Sequence, residues 1–156
     1  MVSNVMNTDG PAVVDVITVD GKVLWTLSVD VNDPKIIRPL SLCLLGRDVL
    51  VSDKEGMVHR VDVVKGTRSH ALTHSDLKSP GQVAADAAGN IYIACSHKEG
   101  CVLLYSTRGQ WRKLLVGHEH GDGGRTTPQA VGITEKGIVV SWEQNMSDSV
   151  VTGFHL

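Results

Sequence analysis

The sequence predicts an all-β protein built from a repeated unit of four short antiparallel strands, and three observations lead there. A proline-led phrase occurs three times, as Pro39-Leu40-Ser41-Leu42-Cys43-Leu44, Pro80-Gly81-Gln82-Val83-Ala84-Ala85 and Pro128-Gln129-Ala130-Val131-Gly132-Ile133. Each phrase is followed by a tight turn and a second apolar run, at 48–53, 90–95 and 137–142. Glycine-containing turns then recur at one phase, as Val19-Asp20-Gly21-Lys22-Val23, Val64-Lys65-Gly66-Thr67-Arg68 and Ser106-Thr107-Arg108-Gly109-Gln110. The prolines are spaced by 41 and 48 residues. A period of roughly 40–50 residues made only of short strands is that of a β-propeller blade.

In chain order, with strand a innermost and strand d outermost, the first unit (1–28) supplies strands b, c and d near 2–6, 12–20 and 22–28. Its Asp20-Gly21 pair between two apolar runs is a strong hairpin signal. The second unit (39–73) carries all four strands, near 40–45, 48–53, 57–64 and 68–73. The third (80–116) repeats them near 81–86, 90–95, 100–106 and 110–116. The last (128–156) has strands a, b and c near 129–134, 137–142 and 149–154. These fourteen strands make about three and a half blades, whereas a closed ring has about four to eight. Unpaired strand edges would invite association. The sequence thus predicts either part of a longer chain or copies that associate to complete a ring.

Composition is that of a globular chain, 42% hydrophobic and 21% charged, with a net charge of −2. There is no global basic excess to drive non-specific nucleic-acid binding. The three cysteines show no CxxC spacing, and Cys43 and Cys95 sit inside apolar runs, where a reduced, buried thiol is the simpler reading. This usage and the absence of a signal-peptide pattern from Met1 to Gly10 predict a cytoplasmic protein. No apolar run approaches the ~20 residues of a membrane helix.

From Pro80 to Tyr105 the sequence PGQVAADAAGNIYIACSHKEGCVLLY resembles the NHL repeat. It has a proline, a small residue, an apolar triplet, Asp, Gly-Asn, and two apolar strands. The stretch His118 to Pro128, HEHGDGGRTTP, resembles that family's Gly-Asp-Gly connection into the next blade. The turns Leu45-Gly46-Arg47-Asp48 and Thr134-Glu135-Lys136-Gly137 lack the Asp and Gly-Asn, so only the third unit carries the full pattern. The resemblance implies a propeller that is six-bladed when complete, of the kind found in tripartite-motif (TRIM-like) proteins, where it binds protein or RNA. It implies substrate or partner recognition in a ubiquitin-ligase context, with a RING domain elsewhere supplying the ligase activity. The family also often closes its last blade with an N-terminal strand, which would make Leu156 a C-terminus and Met1 an interior start.

Functional residues are expected on the face formed by the d–a and b–c loops, which carry eleven acidic and six basic residues, a net −5. An acidic face favours a protein partner over RNA, as does an aromatic content of 4%. The partner-contact candidates are Trp142, Glu143, His97, Glu99, His118, Glu119, Asp53 and Glu55, with Trp142 the leading anchor. Trp25 and Trp111 are expected to pack between blades. His118, His120 and Asp122 have the side chains for a metal site, but the same stretch reads as a solvated Gly-rich connection. Asp86, Gly89 and Asn90 could ligate calcium, as in the six-bladed lactonases that NHL proteins resemble, or simply form a turn. No nucleophile–base constellation, P-loop or GxGxxG occurs, so no catalytic residue and no cofactor are expected. The alternatives left open are a metal-dependent propeller hydrolase and a single-stranded RNA binder.

Overall fold

A computed structural model describes residues 2–5, 13–27, 39–96, 100–116, 127–145 and 148–155. Among them there is no helix, and all fourteen strands fall where the sequence places them. The first sheet contains β1 (Val2–Val5), β2 (Val13–Ile17) and β3 (Val23–Leu27). The second contains β4 (Pro39–Leu45), β5 (Asp48–Asp53), β6 (Val58–Asp62) and β7 (Arg68–Leu72). β8 (Pro80–Ala85), β9 (Ile91–Cys95), β10 (Cys101–Tyr105) and β11 (Trp111–Val116) make the third. The last contains β12 (Thr127–Thr134), β13 (Gly137–Asn145) and β14 (Asp148–His155). Each sheet is an antiparallel meander in sequence order.

The repeated proline has a structural job. In all three units the register between strands a and b slips just after it, between Pro39 and Ser41, Pro80 and Val83, and Pro128 and Ala130. Proline has no N–H to give a regular ladder, so it suits a strand's first residue and an adjoining bulge. The c–d turns repeat as faithfully. Gly21, Gly66 and Gly109 all take positive φ (86°, 65° and 76°), which glycine adopts without a Cβ clash. Thr18, Asp62 and Ser106 open these turns, and their side-chain oxygens accept backbone N–H groups from Lys22, Lys65 and Gln110.

Packing between sheets creates three cores. Val14 of the first sheet meets Val49, Val51 and Val61 of the second. Leu50, Val58 and Leu72 of the second join Val83, Ile91, Ile93 and Leu103 of the third. Tyr92, Ala94 and Val102 of the third meet Val131, Ile138, Val140 and Trp142 of the fourth. The second strand of a unit is covered on both faces, so β9 is buried at every residue. That is why it reads as a continuous apolar run and not as an alternation.

Polar bonds tie neighbouring sheets at the inner strands. Val83 N–H donates to Ser41 Oγ (3.2 Å), and Val131 N–H donates to Gln82 Oε1 (3.0 Å). Ser41 and Gln82 each stand two residues after the unit's proline, so one repeat position supplies the acceptor for the next blade. Ser52 Oγ adds a bond to Gly81 O (2.6 Å), and Arg60 Nη1 donates to Thr107 O (2.7 Å) at the opposite end. The arrangement is a stack of propeller blades.

Candidate functional site

Opposite the unit's proline, strand b of three successive blades places Asp53, Cys95 and Trp142. All three are buried. Their position faces an interblade core, and each blade fills it with different chemistry.

In the second blade it holds a polar pair. Asp53 is 0% exposed; its Oδ1 accepts Met57 N–H (2.9 Å) and its Oδ2 accepts His59 Nε2 (2.6 Å). Arg68 Nη1 reaches His59 Nδ1 at 3.3 Å, so the chain Arg68, His59, Asp53 fits an imidazole protonated on Nε2. Burial of a carboxylate is tolerable only with such partners. Asp53 is therefore not available to a partner protein, contrary to the expectation from its loop position; it organises the b–c turn from inside. Glu55, two residues on, is exposed on that turn.

Trp142 corrects the sequence reading more sharply. It is 1% exposed and packs against the third blade, so it is a core residue and not the surface anchor expected. At the position opposite the proline the strand's side chain faces the neighbouring blade, and a large one there fills the interblade space. Its indole Nε1 is buried with no hydrogen-bond partner among the described residues. Glu143 is half-buried and accepts a bond from Gln129 Nε2.

Trp111, expected between blades, does contact the neighbouring blade, but at the surface and not in a core. It is 43% exposed and stacks on His74, with ring centroids 4.7 Å apart and planes 3° from parallel. His74 belongs to the connection after β7 and Trp111 opens β11, so the pair bridges the second and third blades. His74 Nδ1 accepts Asp76 N–H (3.1 Å) and stands 3.5 Å from the Asp76 carboxylate, which fixes the imidazole beside the indole. Asp76 and Lys78 on the same connection as His74 are exposed, as are Arg108 and Arg112 on the third blade. Farther along the same connection, Ser79 has φ 48°, the one positive value at a non-glycine among the described residues. Its carbonyl accepts both the N–H (3.2 Å) and the Oγ (3.4 Å) of Ser96, which hold that conformation in place.

His97, Glu99, His118, Glu119, His120 and Asp122 lie outside the described residues, as does the side chain of Trp25. Among the described residues no group of three or more His, Cys, Asp or Glu side chains is placed to hold a metal ion. Asp86, Gly89 and Asn90 form a turn. Asp86 accepts Asn90 N–H (2.8 Å), Asn90 Nδ2 (2.8 Å) and Tyr92 Oη (3.0 Å). Burial alone would raise the Asp86 carboxyl, but the bonds from Asn90 and Tyr92 outweigh it and hold it below its ordinary value of 3.8. Burial and the Asp86 carboxylate push the Tyr92 hydroxyl up to about 12.

The Trp111–His74 contact was not legible in the sequence, because it joins two strand ends from different blades. A second pair was. Cys95 ends the predicted strand b and Cys101 opens strand c, and the structure pairs them directly across the hairpin.

No protein-family model matches the chain, and neither does any curated protein sequence. Solved structures do. A hydrazine synthase of Kuenenia stuttgartiensis superposes with a TM-score of 0.71 at 16% identity, covering 90% of this chain and 40% of that one. Sqt1 of Saccharomyces cerevisiae gives 0.65 at 16% identity over 97% of this chain and 41% of that one. A nidogen/laminin complex gives 0.65 at 14% identity over 92% of this chain and 57% of that one. All three are β-propeller-type folds. The chain described here is a β-propeller assembly of the same type, and it spans about half the length of these structures or less.

Proposed function

We propose that this chain is a non-catalytic protein-interaction module, in which stacked blades present a rigid recognition surface centred on Trp111 and His74. The observation that carries the reading is their stacked, surface-exposed contact across two blades. A large aromatic already held in place loses little freedom on binding, which is what makes such residues interface anchors. Exposed Asp76, Glu55, Lys54 and Lys78 supply a polar rim of both signs. The nidogen/laminin structure shows a related fold within a protein complex. The NHL-like third unit points further, to partner recognition in a TRIM-like ubiquitin-ligase context and, with the cysteine usage, to the cytoplasm. Completion of the ring by a second copy belongs to the same proposal.

Affinity capture from cell extract tests it, with Trp111→Ala and His74→Ala beside a control at exposed Val64 (Val64→Ala). Proteins retained by the native chain and the control, and lost at least tenfold from both site variants, are the expected result. Identical captured sets from all four would overturn the reading.

Single-stranded RNA is the second reading, favoured by one feature: Arg108 and Arg112 are exposed on the blade that offers the Trp111 ring. Binding to a mixed oligonucleotide that falls steeply with salt and is lost in Trp111→Ala would select it. The hydrolase alternative is tested by lactone turnover with and without calcium, where any metal-dependent rate would replace the binding-module reading.

A further inference from the structure

The third blade places two thiols directly opposite each other, at the position where the second blade places its Asp53 carboxylate. Cys95 closes β9, Cys101 opens β10, and the antiparallel register pairs them residue to residue. Cross-strand partners have Cα atoms about 4.5–5.5 Å apart and side chains on the same face. That separation lies inside the window of about 4.4–6.8 Å that a disulfide spans. The two sites differ in access. Cys95 is fully buried in the core between the second and third blades, whereas Cys101 is half-exposed. The hydroxyl of Tyr105 is buried nearby without a hydrogen-bond partner among the described residues.

We propose that Cys95 and Cys101 form a dithiol modification site, in which Cys101 is the attacking thiol and Cys95 the resolving one, and that low-molecular-weight disulfides convert it to an intrachain cross-strand disulfide. The mechanism is thiol–disulfide exchange. The Cys101 thiolate attacks one sulfur of the small disulfide, forming a mixed disulfide and expelling one thiolate. Cys95 then gives up its proton and attacks the Cys101 sulfur, expelling the second. Two protein thiols are oxidised by two electrons, one small disulfide is reduced to two thiols, and the two protons end on the released thiols.

The side chains are suited to those roles. The facing Cys95 thiol, by hydrogen bonding to the anion, favours the Cys101 thiolate and holds its pKa below the ordinary thiol value, outweighing the burial that opposes it. The same interaction, with burial, pushes Cys95 up, so it reacts second and from within. Cys43 is the contrast: half-buried, it is raised chiefly by burial and has no paired thiol on the facing strand, where Leu50 stands. A cross-link that closes so short a hairpin removes little chain entropy, which makes it readily reversible and not a structural staple.

The test treats the native chain with oxidised glutathione under non-denaturing conditions and follows intact mass, free thiols and peptide maps. Two of the three thiols should disappear with the loss of two hydrogens, no retained glutathione, and a single Cys95–Cys101 cross-link that dithiothreitol reverses. Cys95→Ala should trap glutathione on Cys101, and Cys43→Ala should behave as the native chain does. Three thiols still free, a cross-link through Cys43, or a lasting glutathione adduct on native Cys101 would each overturn the proposal. The native-chain readout stands even if the buried Cys95→Ala variant folds poorly.

Discussion

A single register position takes three different side chains in three blades, and each is held by a different interaction. At Asp53 the interaction is hydrogen bonding. His59→Leu would leave the carboxylate buried with the Met57 N–H still bonded to Oδ1 and Oδ2 stripped of its imidazole partner, and breaking a buried pair in this way costs about 3 kcal/mol. Urea denaturation of that variant checks the figure. At the a–b turn of the third blade, Gly89 takes φ 83°, and a Cβ built on it would lie 2.7 Å from Thr107 Oγ1. Gly89→Ala therefore combines backbone strain with a clash and should lose about 2 kcal/mol, read as a lowered thermal midpoint. Beside it, the depressed Asp86 carboxyl sets a pH dependence. A group held below its unfolded value stabilises the fold above that value and loses its contribution as pH falls through the lower folded one. Thermal midpoints should drop as pH is taken below about 4, and Asp86→Asn should flatten part of that drop.

At the scale of the strand and its neighbours, the proline-led phrase carried more information than its apolar pattern alone. The proline marks the bulge, and the second residue after it reaches the next blade, as Ser41 does to Val83 and Gln82 to Val131. Gln82→Ala should strand the Val131 N–H in a buried setting and cost about 1–2 kcal/mol, with an Asp86-turn variant as an independent reference. Hydrogen exchange at Val131 should accelerate in the same variant. Strands and turns were legible because period, Gly position and Pro position are local properties. The site was not, because side-chain direction at a strand end depends on a bulge and on the facing blade. That is how Trp142, judged from its place beside a loop, went inward, while Trp111, expected between blades from its outer strand, makes that contact at the surface. Asp53 was misjudged for the same reason, since its chain position is a loop edge and its carboxylate points into the core.

Over the whole molecule, four sheets stack through three apolar cores, and the first and last have three strands each among the described residues. β14 has no strand paired on its far side among those residues, and Val151 on it is 66% exposed. An apolar edge strand invites pairing with another chain, and a charge on it discourages that. Light scattering should therefore show a mass that rises with concentration, and Val151→Lys should suppress the rise. The bonds between inner strands add one consequence for how such a stack is put together. At the second residue after the proline the earlier blade offers the acceptor and its successor the donor, while Ser52 Oγ and Arg60 Nη1 donate from the second blade to the third, so that seam is closed by bonds running in both senses. At Ala130 the equivalent side chain is a methyl group, so β12 offers no acceptor of this kind and the repeat of the bond ends with Gln82.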